Sequence, residues 1–190
     1  MLASLADALP GKRPLLALPR AQIDRRFARA LARADGVEGA HCIHELWMRG
    51  EMGIHIDAAL RRLWQAAGDS IPEWLPMRHV GWLSQVYEVA GRWHAKAKGR
   101  THIYLVLLDP PALDAEHGIY VGMSKYPPAQ RFDQHKAGIR AAGSVLKHGL
   151  EVLTGPTLHL QFIRRGEAER IEAGLAADLA DAGLWVKGGH

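Results

Sequence analysis

The spacing of apolar residues changes at Lys96-Ala97-Lys98-Gly99-Arg100, and no other feature constrains the fold of this chain as strongly. Before this basic segment the period is helical. Across residues 19–34, Ile23, Phe27 and Leu31 recur every fourth position, the spacing of one buried helix face. Residues 54–67 and 80–95 predict two further helices. Ile56, Leu60 and Leu63 form the apolar stripe of the first, and Leu83, Val86, Tyr87 and Ala90 that of the second. Pro72-Glu73-Trp74-Leu75-Pro76 separates them. After the segment the pattern becomes that of strands. Residues 101–108 and 119–123 are short, apolar and β-rich, and Asp109-Pro110-Pro111 stops the first. Pro127-Pro128 then opens a helix that carries Gln130 to His135 and closes near Gly138. Residues 157–164 alternate and predict a third strand, while residues 166–183 predict a helix with Ala168, Ile171, Leu175 and Leu179 as its apolar stripe. The expected class is α+β: an all-helical region over residues 1–96, then a β-β-α-β-α domain over 97–190.

Bulk composition sets the boundaries. With 48% hydrophobic residues over 190 positions the chain can bury a core. Lys plus Arg exceeds Asp plus Glu by 24 to 20, a mild basic bias compatible with a polyanionic partner. One cysteine, Cys42, precludes an intrachain disulfide, and the N-terminus lacks the basic and apolar regions of a signal peptide. No run approaches the length of a membrane span. These features predict a cytoplasmic protein with no membrane partner.

Charge placement says more than the sum. Arg25, Arg29 and Arg33 share the interval of the apolar stripe but are offset by two residues, about 200° around a helix. Such a stripe serves as a solvated face, as a track for phosphates, or as a surface for a partner protein. Five of the six tryptophans (Trp47, Trp64, Trp74, Trp82 and Trp93) lie before the basic segment, where helical spacing favours core positions over stacking platforms. His41-Cys42-Ile43-His44-Glu45 contains metal-ligand residue types, but the spacing is not that of a zinc site, and a buried structural role suits Cys42 better than a nucleophilic one.

The chemistry concentrates in the second half. The first strand presents His102-Ile103-Tyr104 and the second Gly118-Ile119-Tyr120-Val121-Gly122-Met123-Ser124. Arg131 follows eleven residues after Tyr120, and His135 four after Arg131, on one helix face. Phosphodiester hydrolysis needs an aligned nucleophile, a stabilised phosphorane and a stabilised leaving oxygen. A phenol is a poor base at its ordinary pKa of about 10, so it needs a nearby cation, and the guanidinium fork of Arg131 matches phosphate.

These motifs resemble the GIY-YIG nuclease family over about residues 101–190. The resemblance implies a small domain with a three-stranded antiparallel sheet flanked by helices. It implies an endonuclease acting on DNA by Tyr-assisted water attack, with Mg²⁺ or Mn²⁺ as cofactor. Tyr104 and Tyr120 match the two motif tyrosines, and Arg131 and His135 match the helix residues. In Ala168-Glu169-Arg170-Ile171-Glu172-Ala173-Gly174-Leu175 the family pattern of a small residue, a Glu four on and an apolar residue three further makes Glu172 the metal carboxylate. Glu167 and Glu169 lie nearby as competitors. Lys125, after the second strand, joins the arginine stripe as a candidate for nucleic-acid contact. The chain departs from the family at His102, where a Gly is usual, at Val121, and in a longer gap between the tyrosines that implies an extended loop from Asp109 to Gly118. It contains no asparagine, and Gly188-Gly189-His190 occupies the region where the family carries one. Two other functions fit: a nucleic-acid-binding module with weak or no catalysis, and a nuclease toxin or defence effector whose helical half binds a carrier or neutralising protein.

Overall fold

In the computed structural model, which describes residues 12–96, 98–110, 112 and 116–189, the chain divides into two compact units, Met1–Ser84 and Gln85–His190. The boundary falls within a helix, upstream of the basic segment where the apolar period changes.

The first unit is helical. α1 (Arg20–Ala32), α2 (Gly36–Met48) and α3 (Gly53–Ala67) pack against one another. Ile23, Phe27 and Ala30 of α1 are buried, and α3 buries Ile56, Leu60 and Leu63. α2 was not marked by periodicity. Ten of its thirteen residues are buried, so it has no polar face to create an amphipathic signal. Its start is fixed by Asp35, whose carboxylate accepts the Glu38 amide at 2.9 Å. Of the tryptophans here, Trp47, Trp74 and Trp82 are buried, whereas Trp64 is 58% exposed. α4 (Leu83–Gly91) is shorter than the expected span of 80–95.

The second unit contains a four-stranded mixed sheet in the order β3-β1-β2-β4. β1 (Lys98–Leu108) and β2 (Gly118–Ser124) form an antiparallel pair, with Tyr104 opposite Gly122 and Val106 opposite Tyr120. β3 (Gly149–Val152) adds to β1 antiparallel, and β4 (Val186–Gly188) adds to β2 in parallel. Between the strands lie α5 (Pro128–Lys136), α6 (Gly143–His148) and α7 (Arg165–Asp181). β1 is buried on both faces from Thr101 to Leu108, as a central strand must be. Tyr104, Val106 and Leu108 form a cluster with Val145 of α6, packed by Phe132 of α5 and by Trp185. By alternation Ile103, Leu105 and Leu107 face the other way, and α7 lies against β1, β2 and β4.

Two expectations need correction. The sheet is four-stranded and mixed, not three-stranded and antiparallel, because short β3 and β4 complete its edges. Residues 157–164 are not a regular strand. They run beside β1 but touch it through isolated bridges of Ile163 to Lys98 and Thr101. Pro156 opens a 3-10 turn over Gly155–Thr157. The Gln161 side chain donates to the Ile103 carbonyl at 2.8 Å and the Thr157 carbonyl at 2.6 Å, replacing ladder bonds that a strand would make from its backbone. The expected loop from Asp109 to Gly118 lies partly, and His190 wholly, outside the described residues.

Candidate active site

Tyr104 and Tyr120 come from adjacent strands at diagonal positions of the ladder, so both project from the same face. Their ring centroids are 6.1 Å apart. Gly122 makes this possible. A Cβ there would stand 2.6 Å from Cε1 of Tyr120 and 2.7 Å from the Tyr104 hydroxyl. The second motif glycine is therefore a space requirement of the two phenols.

α5 brings the remaining groups. Pro127 caps it and Pro128 sits in its first turn. Gly138, at φ +78, closes it, with the Ile139 amide returning to the Gln134 carbonyl at 2.8 Å, a Schellman-type ending. The helix presents Arg131 and His135 on one face. His135 is 1% exposed. Its Nδ1 accepts the Ala142 amide at 2.9 Å, and its Nε2 lies 2.8 Å from the Tyr104 hydroxyl. With Nδ1 occupied as an acceptor, a neutral ring carries its proton on Nε2 and donates it to Tyr104. Burial, reinforced by the Arg131 charge, pushes His135 down to about 4, so it is neutral at pH 7. The Tyr120 and His135 rings meet edge to face at 5.9 Å.

Both phenols are held well protonated. Burial pushes Tyr104 up, Tyr120 adds to the rise and Arg131 opposes it. Burial also raises Tyr120, the Tyr104 hydroxyl lowers it, Glu172 raises it and Arg131 lowers it. Hydrogen bonds thus run from the Ala142 amide through His135 to the Tyr104 hydroxyl, and the Tyr104 ring packs against that of Tyr120, which is partly exposed.

Arg131 is anchored as it acts. Its guanidinium donates to Gln134 Oε1 at 3.2 Å and to the carbonyls of Ile139 at 3.1 Å and Arg140 at 2.7 Å. That ties down the turn leading to Ala142 and leaves guanidinium donors for a ligand. Glu172 is buried on α7, one position from Ile171 in the apolar stripe, and its charge reaches Tyr120. Tyr104, Tyr120, Arg131, His135 and Glu172 are thus brought into mutual influence. Among the described residues no group of three or more His, Cys, Asp or Glu is placed to hold a metal ion; Glu172 is the carboxylate whose charge bears on Tyr120.

The other nucleic-acid candidates are surface residues. Lys125 is exposed after β2, its ammonium 5.1 Å from the Tyr126 ring centroid. Arg25, Arg29 and Arg33 are exposed on α1 in the first unit, with Arg33 3.5 Å from Asp35. Cys42 is fully buried and its thiol is pushed up to about 12 by burial, which makes it unreactive. His41 and His44 pack against the Trp74 ring. One contributor carries no sequence signal: Ala142 acts through its amide. Gly122 is legible as a motif glycine, but its role depends on how two tyrosine rings cross it.

No helix among the described residues is long and apolar enough to cross a membrane. No protein-family model, curated protein or solved structure matches the chain.

Proposed function

We propose that the second unit is a metal-dependent endonuclease of the GIY-YIG type, hydrolysing phosphodiester bonds in DNA. The linkage of His135, Tyr104, Tyr120 and Arg131, with Glu172 in electrostatic reach, carries this reading. The five groups come from four segments distant in sequence, and each has a task in phosphoryl chemistry. Tyr120 is the exposed end of the chain and faces the nucleophilic water. Tyr104 and Arg131 both act to lower its pKa, so loss of its proton is supported by groups already in place. His135 in turn donates to Tyr104 and keeps that phenol oriented. Arg131 supplies a permanent positive charge for the phosphorane. Glu172 would hold a divalent cation, which would supply positive charge beside Tyr120 and for the departing oxygen.

The test is incubation of the pure protein with supercoiled plasmid in Mg²⁺ and in EDTA, beside Glu172→Ala. Relaxed or linear product in Mg²⁺ alone, absent from Glu172→Ala, is expected. Equal cleavage by wild type, Tyr120→Phe, Arg131→Ala and Glu172→Ala would sink the assignment. The missing asparagine favours a second reading, a binding module without catalysis. It predicts retained nucleic-acid binding with intact plasmid under every metal condition. The α1 arginines are assigned to backbone phosphates. Replacing Arg25 and Arg29 by alanine should weaken binding uniformly across sequences and shallow the salt dependence by about 0.9 per lost phosphate contact.

A further inference from the structure

Phe162 combines three properties that rarely coincide. It is 65% exposed, its backbone has φ +58, and its ring is clamped edge-on to His102 at a centroid distance of 4.7 Å. A bulky side chain in the left-handed region is strained, and such strain persists where the surroundings over-determine it. Here they do. The Phe162 carbonyl accepts the Gly99 amide at 2.7 Å, Ile163 bridges Lys98 and Thr101, and Gln161 holds both the Ile103 carbonyl and the His102 ring. His102 Nδ1 donates to Gln161 Oε1 at 2.8 Å, which fixes the imidazole against the phenyl edge. The result is a flat apolar ring held rigidly toward solvent.

Its location gives the ring a use. His102 precedes Tyr104 by two residues on β1 and lies on the same strand face, about 7 Å along the strand. Lys98, which bridges Ile163, Arg100 two residues before His102 and Arg164 two residues after Phe162 are exposed. An aromatic face among cations is the pattern that binds unpaired nucleotides: phosphates meet the charges and the base stacks on the ring.

Resting on the nuclease reading of the same unit, we propose that Phe162, buttressed by His102, is a stacking platform for an unpaired nucleobase next to the scissile phosphate. The substrate class is accordingly nucleic acid with a single-stranded or frayed nucleotide at the cut.

The test uses the full chain in EDTA with a short single-stranded oligonucleotide carrying 2-aminopurine. Wild type should bind and quench the fluorophore. Phe162→Ala should bind about tenfold more weakly and quench little, whereas Phe162→Trp should restore both. An abasic residue at the stacked position should erase the difference between wild type and Phe162→Ala. Phe162→Gly, which removes the side chain and relieves the backbone, should melt at the same temperature as wild type or higher. Equal affinity and quenching for wild type and Phe162→Ala would overturn the platform while leaving plasmid cleavage, and hence the nuclease reading, untouched. A melting temperature lowered by several degrees in Phe162→Gly would make the ring structural and also overturn it. If wild type binds no oligonucleotide and cuts no plasmid, both ideas fail together.

Discussion

Each unit buries an ionisable network, and the two end differently. In the first, Glu45 is 1% exposed and meets Arg13 at 2.8 and 3.0 Å and Arg49 at 2.6 Å. Arg49 also donates to the carbonyls of Leu15, Leu16 and Leu18. Burial alone would raise the Glu45 carboxyl, but the two guanidinium forks hold it below its ordinary value. That network closes on itself and staples the segment before α1 to α2. In the second unit the chain from Ala142 through His135 and Tyr104 reaches Tyr120, which is partly exposed with its acidity still pulled in opposite directions by Glu172 and Arg131. A closed network spends its polarity on the fold. An open one has polarity left for a ligand.

The largest effect that could break this contrast comes from exchanging the fates of the two glutamates. Glu172→Ala should lower cleavage by about a thousandfold or more with little change in melting temperature. Glu45→Ala should cost about 3 kcal/mol of stability, read from denaturant unfolding, and leave catalysis in the surviving folded protein intact. If Glu172→Ala unfolds the protein while Glu45→Ala is harmless, the contrast is reversed. A smaller effect is expected at Gly122. Gly122→Ala must displace one phenol and should cost about 1–3 kcal/mol by overpacking, together with most of the activity; an unchanged melting curve would show that the rings are not locked.

The smallest effect is in acid. An unfolded histidine titrates near 6.5, whereas burial pushes His44 and His135 each down to about 4. Above pH 6.5 both states are neutral and these groups add no pH dependence. Between 6.5 and 4 the unfolded chain takes up protons that the folded one refuses, so stability falls as pH falls. Glu45, with its folded pKa depressed, contributes stability that is present above the unfolded carboxyl pKa of about 4.3 and is lost as pH falls through its folded value. His135→Gln should therefore reduce the slope of melting temperature against pH between 6.5 and 4, and Glu45→Gln should lower the melting temperature above about pH 4.3 and lose that effect as pH falls further. An unaltered slope in His135→Gln would place the acid sensitivity elsewhere.

Legibility in the sequence followed the same division. α1, α3 and α7 were readable because each shows a core one face and solvent the other, α5 because Pro127-Pro128 opens it and Gly138 closes it, and β1 and β2 because apolar β-rich runs end at proline and glycine. α2 was hidden by burial on nearly all sides. β3 and β4, at four and three residues, are too short to show a period. Residues 157–164 imitate a strand because Leu158, Leu160 and Phe162 alternate with polar residues, yet they meet β1 through scattered backbone bonds and the Gln161 side-chain amide instead of a regular ladder. Tyr104, Tyr120, Arg131, His135 and Glu172 could be picked out by type and spacing. The direction of hydrogen bonding among them could not, since it depends on a main-chain amide whose residue is an alanine.

That amide gives the molecule an internal reporter. The Ala142 N–H is bonded to the imidazole nitrogen opposite the one that touches Tyr104. When His135 gains a proton on Nδ1 the acceptor vanishes and the amide must let go. Its nitrogen chemical shift and its solvent exchange rate should therefore follow the protonation state of the site, readable in a single backbone resonance with no label on the site and no substrate present.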